Sequence, residues 1–308
     1  MAQCRGSRGE VSRLADFGYA AGWRLLRFAP GELVTWAFQA GADLAAHRDG
    51  PGARQLRRNL ARVVPDATPV ALDALVRDGL RSYARYWREV FMLPWADHVA
   101  LVGRLDGAME GTRHLNDALA KGRGVVVVLP HSGNWDMAGL WFVGHHGAFS
   151  TVAERLASEA LYQRFVAYRG SLGFDIVPLT GAGSPTLRLL RRLRAGGVVC
   201  LLADRDLTGA GMAVEFFGGA ARMPLGPARL AAATGATLLV VGCWFTPGGW
   251  GIRFHPPVPV PDRSAVMQAT QAVADCFATD IAAHPQDWHM LQPLWIEDLP
   301  VPPQRETR

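Results

Sequence analysis

The sequence predicts an α/β fold: a mostly parallel central sheet flanked by helices on both faces, preceded by a helical N-terminal cap. Three observations carry that expectation. From about residue 112 onward, short apolar runs of strand character alternate with helix-length segments. Upstream of that point the chain is helical in pattern throughout, with Pro and Gly at its breaks. An apolar fraction of 49% against 19% charged residues, over 308 residues, is enough for a substantial core and argues against disorder.

In the cap, Leu14, Phe17, Ala21, Leu25 and Phe28 recur at helical spacing, with Arg24 and Arg27 beside that face. Pro30 interrupts the run and Leu33–Phe38 resumes it. The Gly50-Pro51-Gly52 step reads as a turn, followed by a second helical unit carrying Arg54, Arg57, Arg58 and Arg62. A third, Ala71–Phe91, ends before Pro94. Strands are expected at Val125–Leu129, Phe149–Val152, Asp175–Val177, Val198–Ala203, Thr237–Phe245 and Gly251–His255. Helices are expected over 136–145, 158–171, 185–195, 227–234 and 264–283. Thr246-Pro-Gly-Gly-Trp250 reads as a hairpin turn between the last two strands. Neither a repeat nor a flexible linker divides the chain. One domain over 1–308 follows: the cap over 1–110, the α/β core over 111–298 and a Pro-rich tail over 299–308.

Composition narrows the partners. The formal charge of +5 is a mild basic excess carried almost wholly by arginine. It suits anionic lipid headgroups or a phosphorylated substrate. Without a helix-turn-helix, zinc-finger or RNA-binding signature, nucleic acid is not an expected partner. Cys4, Cys200, Cys243 and Cys276 are far apart and form no C-x-x-C pair. Neither a disulfide framework nor a zinc site is expected, which fits a reducing cytosol. No apolar run approaches the ~18 residues of a transmembrane helix, and Arg5, Arg8, Glu10 and Arg13 do not make a signal peptide. Among the ten tryptophans, Trp23 and Trp36 suit an interfacial anchor, because indole is apolar yet carries a donor.

The segment that carries chemistry is Val125–Leu129, then Pro130, His131, Ser132, Gly133, Asn134, Trp135 and Asp136. An apolar strand delivers a histidine to a Gly-containing turn, and a carboxylate follows five residues on. A neutral imidazole can take a proton from a hydroxyl, and a carboxylate can fix its tautomer. Ligands of open α/β sheets bind outside the carboxyl ends of strands. Gly133 permits close backbone approach, and N–H groups of the next helix could face a developing oxyanion. Asp136 equally suits a plain first-turn acid on the helix dipole.

A second strand-end segment, Asp204-Arg205-Asp206, lies at the same edge. Asp204 is a second carboxylate for the histidine and Arg205 a phosphate clamp on one reading. On a rival reading, Asp204 and Asp206 form the metal site of a nucleotide-sugar glycosyltransferase; a salt-bridged loop is the plain alternative. A third segment, Val214–Ala228, combines Phe216, Phe217, a glycine pair and Pro224-Leu-Gly226-Pro227, as suits a loop lining an acyl tunnel, or simply core. Glu154 and Arg169 fall near the same edge. His145-His146 lacks a carboxylate at ligand spacing, so no metal is expected. There is no G-x-S-x-G elbow, P-loop or G-x-G-x-x-G after a strand.

Taken together, these segments resemble the glycerophospholipid-type acyltransferases. His131-Ser-Gly-Asn-Trp-Asp136 is similar to the H-x4-D/E motif in the form of the lipid A late acyltransferase branch. Asp204-Arg205-Asp206, Phe216-Phe217-Gly218 and Met223–Ala228 follow in that branch's order. The ending His284–Trp295 is similar to the close of actinobacterial members acting on phosphatidylinositol mannosides. The resemblance implies a peripheral enzyme at the cytoplasmic face of an anionic membrane, moving a long acyl group, such as palmitoyl, from acyl-CoA to a glycolipid mannose. It implies no cofactor besides that co-substrate. It assigns His131 as base, Asp136 as its motif partner and Asp204 as the acid completing a relay. Glu154, Arg169, Arg205, Asp206, Gly133 and Asn134 are expected at the substrates. A lipid A-type acceptor is the alternative within the same family.

Overall fold

The computed structural model describes residues 29–153, 159–178, 184–207 and 209–299. The helical cap comprises α1 (Gly31–Arg48), α2 (Pro51–Val63) and α3 (Pro69–Met92). Pro51 sits in the first turn of α2 rather than in a separate turn, because a first-turn N–H has no helical partner to lose. Thr68 caps α3, its hydroxyl accepting from Ala71 N–H at 3.3 Å. Ala42, Leu56, Leu60, Val76 and Leu80 from the three helices form a small core of their own. The expected helix over 14–28 lies outside the described residues.

Next come α4 (His98–Asp106), β1 (Met109–Glu110), α5 (Thr112–Ala120), β2 (Val125–Leu129), α6 (Trp135–His146), β3 (Phe149–Ala153), α7 (Glu159–Ser171) and β4 (Phe174–Pro178). The chain continues through α8 (Pro185–Arg194), β5 (Val198–Leu202), β6 (Met212–Phe216), β7 (Gly219–Met223) and α9 (Gly226–Thr234). It closes with β8 (Thr237–Thr246), β9 (Gly249–Phe254) and α10 (Val266–Ala283). Seven strands form one sheet in the order β1-β9-β8-β2-β5-β3-β4. β8, β2, β5, β3 and β4 are parallel, while β9 returns antiparallel to β8 through the expected hairpin.

Two apolar layers explain why the central strands read as unbroken apolar runs. Val126 and Val128 of β2 face the layer under α8, α9 and α10. Val125, Val127 and Leu129 face the layer under α4 to α7. Every residue of β2 is therefore buried.

The Val214–Ala228 segment differs from its expectation. Most of it is the β6–β7 hairpin, with Phe217 and Gly218 as the two turn residues at φ 49° and 72°. Two positive-φ residues in succession make the turn that matches strand twist. Phe216 is core, and a Cβ at Gly219 would lie 2.8 Å from Trp295 Cδ1. The glycine pair thus serves a turn and a tryptophan contact rather than an acyl chain. Pro224–Pro227, by contrast, do line an apolar cavity.

The segment 284–299 runs between cap and sheet. Asn59 of α2 donates to Met290 O at 2.7 Å and Gln292 O at 3.0 Å, and Arg62 pairs with Asp298 at 2.6 Å. These contacts bring Trp288 and His289 to the carboxyl edge of the sheet.

Candidate active site

Strand register builds the centre. β2 and β5 pair in parallel from Val125↔Val198 to Leu129↔Leu202. Two residues past the last pair, each strand delivers a side chain at the same height: His131 and Asp204. His131 Nδ1 lies 2.6 Å from Asp204 Oδ1, and His131 N–H donates to Asp204 Oδ2 at 2.8 Å. The Trp288 indole N–H donates to Oδ2 at 3.1 Å. Asp204 is fully buried. Burial pushes its carboxyl up, but the facing imidazole, the His131 N–H and the indole together hold it below the ordinary carboxylate range. In the neutral ring the carboxylate favours the proton on Nδ1, which leaves the lone pair on Nε2.

His131 is half-buried and lines a cavity of about 320 Å³. Tyr83, Tyr86, Trp135, Arg169, Arg205 and His289 are among its walls. His289 donates its main-chain N–H to His131 O at 2.8 Å, and its Nε2 meets Ser82 Oγ at 2.9 Å. Burial, and then His131 opposite, push the His289 imidazole down to about 3, so it stays neutral near pH 7.

Asp136 has a different place from His131's partner. Its carboxylate, almost fully buried, accepts from Arg169 Nε at 2.9 Å and Arg169 Nη2 at 3.0 Å, and from the Tyr86 hydroxyl at 3.1 Å. The Arg169 fork is therefore spent on Asp136 rather than open to a phosphate. Removing one partner leaves a charge buried and unpaired, at a cost of about 3–5 kcal/mol. Asp136→Ala should accordingly lower unfolding stability by that order in denaturant titration. An Asp136→Asn, Arg169→Met double variant should recover part of the loss. Equal losses in the single and double variants would sink this account.

The remaining expectations sort by geometry. Asn134 is buried and structural: Oδ1 caps α6 through Asp136 N–H at 3.1 Å and Met137 N–H at 3.2 Å, and Nδ2 donates to Glu89 at 2.7 Å. Those N–H groups are thus unavailable to an oxyanion. Gly133 has φ 56°, and a Cβ there would lie 2.6 Å from the Cys243 carbonyl carbon. Close packing of the turn on β8, with Gly133 N–H on Asp287 O at 2.8 Å, accounts for it. Asp206 accepts from Gly211 N–H at 2.7 Å and shapes its loop. With Asp204 given to three N–H donors, the two acids are not presented jointly as a D-x-D ligand pair. Glu154 lies outside the described residues.

Arg205 borders both the cavity at His131 and an apolar one of about 770 Å³. The two cavities share Val152, Leu202, Arg205 and Leu207. A third space of about 80 Å³, lined by Phe142, Phe149 and Cys200, lies under the other face of the sheet. Sequence reasoning assigned no role to Trp288, His289 or Ser82. The only signal was the C-terminal motif that holds the first two.

Comparison with known proteins places this site in a family. The model of the bacterial lipid A biosynthesis acyltransferases matches residues 7–297. A phosphatidylinositol mannoside acyltransferase of Mycobacterium tuberculosis (strain ATCC 25618 / H37Rv) is 52% identical over 294 residues, covering 95% of this chain and 92% of the relative. Another of that description, from Mycolicibacterium smegmatis (strain ATCC 700084 / mc(2)155), is 54% identical over 288 residues, covering 93% of each. With His131 and Asp204 joined at the strand ends and the match running almost end to end, the chain belongs to the bacterial lipid A biosynthesis acyltransferase family and is an acyltransferase.

Proposed function

We propose that the protein transfers a long acyl group from acyl-CoA to a mannose hydroxyl of a phosphatidylinositol mono- or dimannoside, with His131 as general base. The observation that carries this reading is the His131–Asp204 pair, which leaves Nε2 basic and lining a cavity. The acceptor class comes from the relatives' names.

Nε2 takes the proton of the mannose hydroxyl as its oxygen attacks the thioester carbonyl. The tetrahedral intermediate collapses, the C–S bond breaks, and the imidazolium returns its proton to the departing thiolate. The products are the sugar ester and free CoA, and no acyl-enzyme intervenes. The 770 Å³ cavity suits the acyl chain: it lies within the usual ~300–1,000 Å³ of ligand pockets. The 80 Å³ space has room for only a few groups of water size, ~30 Å³ each. Arg205, at the junction and without an ion pair among the described residues, suits a phosphate of the donor.

The enzyme works at the cytoplasmic face of an anionic membrane, held by the cap. Among the described residues no helix is long and apolar enough to cross a membrane. Trp36 of α1 is 65% exposed and Leu33 55%, side by side with open solvent where a core helix would bury them. Flotation with anionic liposomes should lose a Leu33→Ser, Trp36→Ser variant. Unchanged flotation would remove α1 from the membrane-binding surface.

The deciding experiment incubates the protein with palmitoyl-CoA and phosphatidylinositol mannosides and identifies products by mass spectrometry. Palmitoylated glycolipid together with free CoA is expected. CoA release without acylated glycolipid would point to another acceptor or to thioester hydrolysis.

A further inference from the structure

Trp288 and Trp295 are the largest fully buried side chains among the described residues, and they spend their N–H groups differently. A buried indole needs an acceptor. Trp295 takes the ordinary solution, the main-chain carbonyl of Phe216 at 2.9 Å. Trp288 instead donates to Asp204, the carboxylate that holds His131.

Its placement is tightly fixed. The turn carrying His131 and the turn carrying Trp288 are stitched by main-chain bonds: Gly133 N–H to Asp287 O and His289 N–H to His131 O, each 2.8 Å. Ser132 Oγ adds a bond to Asp287 O at 3.1 Å. Phe216 and Trp295 pack edge-on against the Trp288 ring with centroids 6.0 and 6.1 Å away. The stitched main chain sets the Trp288 Cα, and the two packed rings hold its indole against Asp204.

We propose that Trp288 is a positioning residue for the catalytic pair: its N–H clamps Asp204 in the rotamer that offers Oδ1 to His131 Nδ1, and it limits how strongly that carboxylate holds the imidazole proton. The inference rests on the reading of His131 as the base. With Trp288 on Oδ2, part of the negative charge is already satisfied. Without it, Oδ2 keeps only the His131 main-chain N–H. The carboxylate then attracts the imidazolium more strongly, and neutral His131 becomes scarcer at low pH.

Other charged and titratable groups border the pair. Arg205 and Asp206 follow Asp204, and Asp287 and His289 flank Trp288. Tyr86 of α3, Asp136 of α6 and Arg169 of α7 form their own network across the cavity. His289 stays neutral down to about pH 3, so it does not titrate where His131 works.

The test compares Trp288→Phe and replacement of Trp288 by 3-benzothienylalanine, which exchanges N–H for sulfur at nearly constant shape and guards against misfolding of the Phe variant. The His131 titration is followed by NMR in the substrate-free protein, and kcat/KM for acyl transfer is measured against pH. In both variants the His131 midpoint and the acidic limb should move up by about one pH unit. Activity well below the limb then falls about tenfold, while the high-pH plateau changes far less. A purely structural role would lower the plateau and leave the limb in place. An unmoved midpoint in the benzothienyl protein overturns the inference. A midpoint that moves while the limb stays fixed upholds Trp288's action on His131 and instead overturns His131 as the base.

Discussion

Acyl transfer by a His131→Ala variant should fall about 10²–10⁴-fold below wild type with the fold intact, the span that positioned proton transfer is worth. The side chain sits at the cavity wall, 30% exposed, and is not among the buried core residues. Its removal leaves Asp204 with two of its three donors, the His131-position main-chain N–H and the Trp288 indole. The buried carboxylate keeps those two hydrogen bonds but loses the imidazole, so the variant should still fold cooperatively while melting below wild type near pH 7. The measurement is the initial rate of CoA release with acceptor present, alongside the melting temperature. A near-wild-type rate in a well-folded variant would remove His131 from the chemistry.

The sheet was legible because its central strands are buried on both faces. A run such as Val125–Leu129 has no polar residue to confuse the reading, and its bounds agree with the structure. The β6–β7 hairpin was not, because its turn is Phe217-Gly218 rather than Asn-Gly or Asp-Gly. A bulky residue at positive φ is held there by tertiary packing, which no local pattern announces.

For the site, His131 and Asp204 were each legible from strand-end placement. Which of two acids pairs with His131 stood open in the sequence: Asp136 lies five residues along the chain and Asp204 seventy-three, and neither spacing decides between them. Only strand register decides it: β5 lies beside β2, and equal steps past Leu129 and Leu202 set the two side chains face to face. Asp136, in the first turn of α6, looks instead to Arg169 and Tyr86. Trp288 stood in a motif without a chemical role, because its meaning depends on how the 284–299 segment threads behind the sheet edge.

Asp204→Asn should cost acyl transfer about as much as losing the base itself, about 10²–10⁴-fold, through the tautomer rather than through the fold. The amide has one acceptor and one donor where the carboxylate had two acceptors. Two N–H groups, from His131 and Trp288, converge on the Oδ2 side and require the amide oxygen there. The amide nitrogen must then face His131 Nδ1 and donate to it. That drives the imidazole proton onto Nε2, the nitrogen proposed to accept the sugar hydroxyl's proton. Flipping the amide would instead set its NH2 against two donors, which is worse by two unmade hydrogen bonds.

Stability changes separately, and its direction follows from the lowered carboxyl of Asp204. Folded Asp204 titrates below the ordinary ~3.9, so its pairing stabilises the protein above that pH, and the contribution is lost as the pH falls through the folded value. Near pH 7 the Asn variant should be less stable than wild type. Below the folded Asp204 value the difference should shrink. Nitrogen NMR of His131 reads the tautomer directly: Nδ1–H in the wild type, Nε2–H in Asp204→Asn. Activity near wild type in this variant, or an unchanged tautomer, would take Asp204 out of the role the strand register gives it.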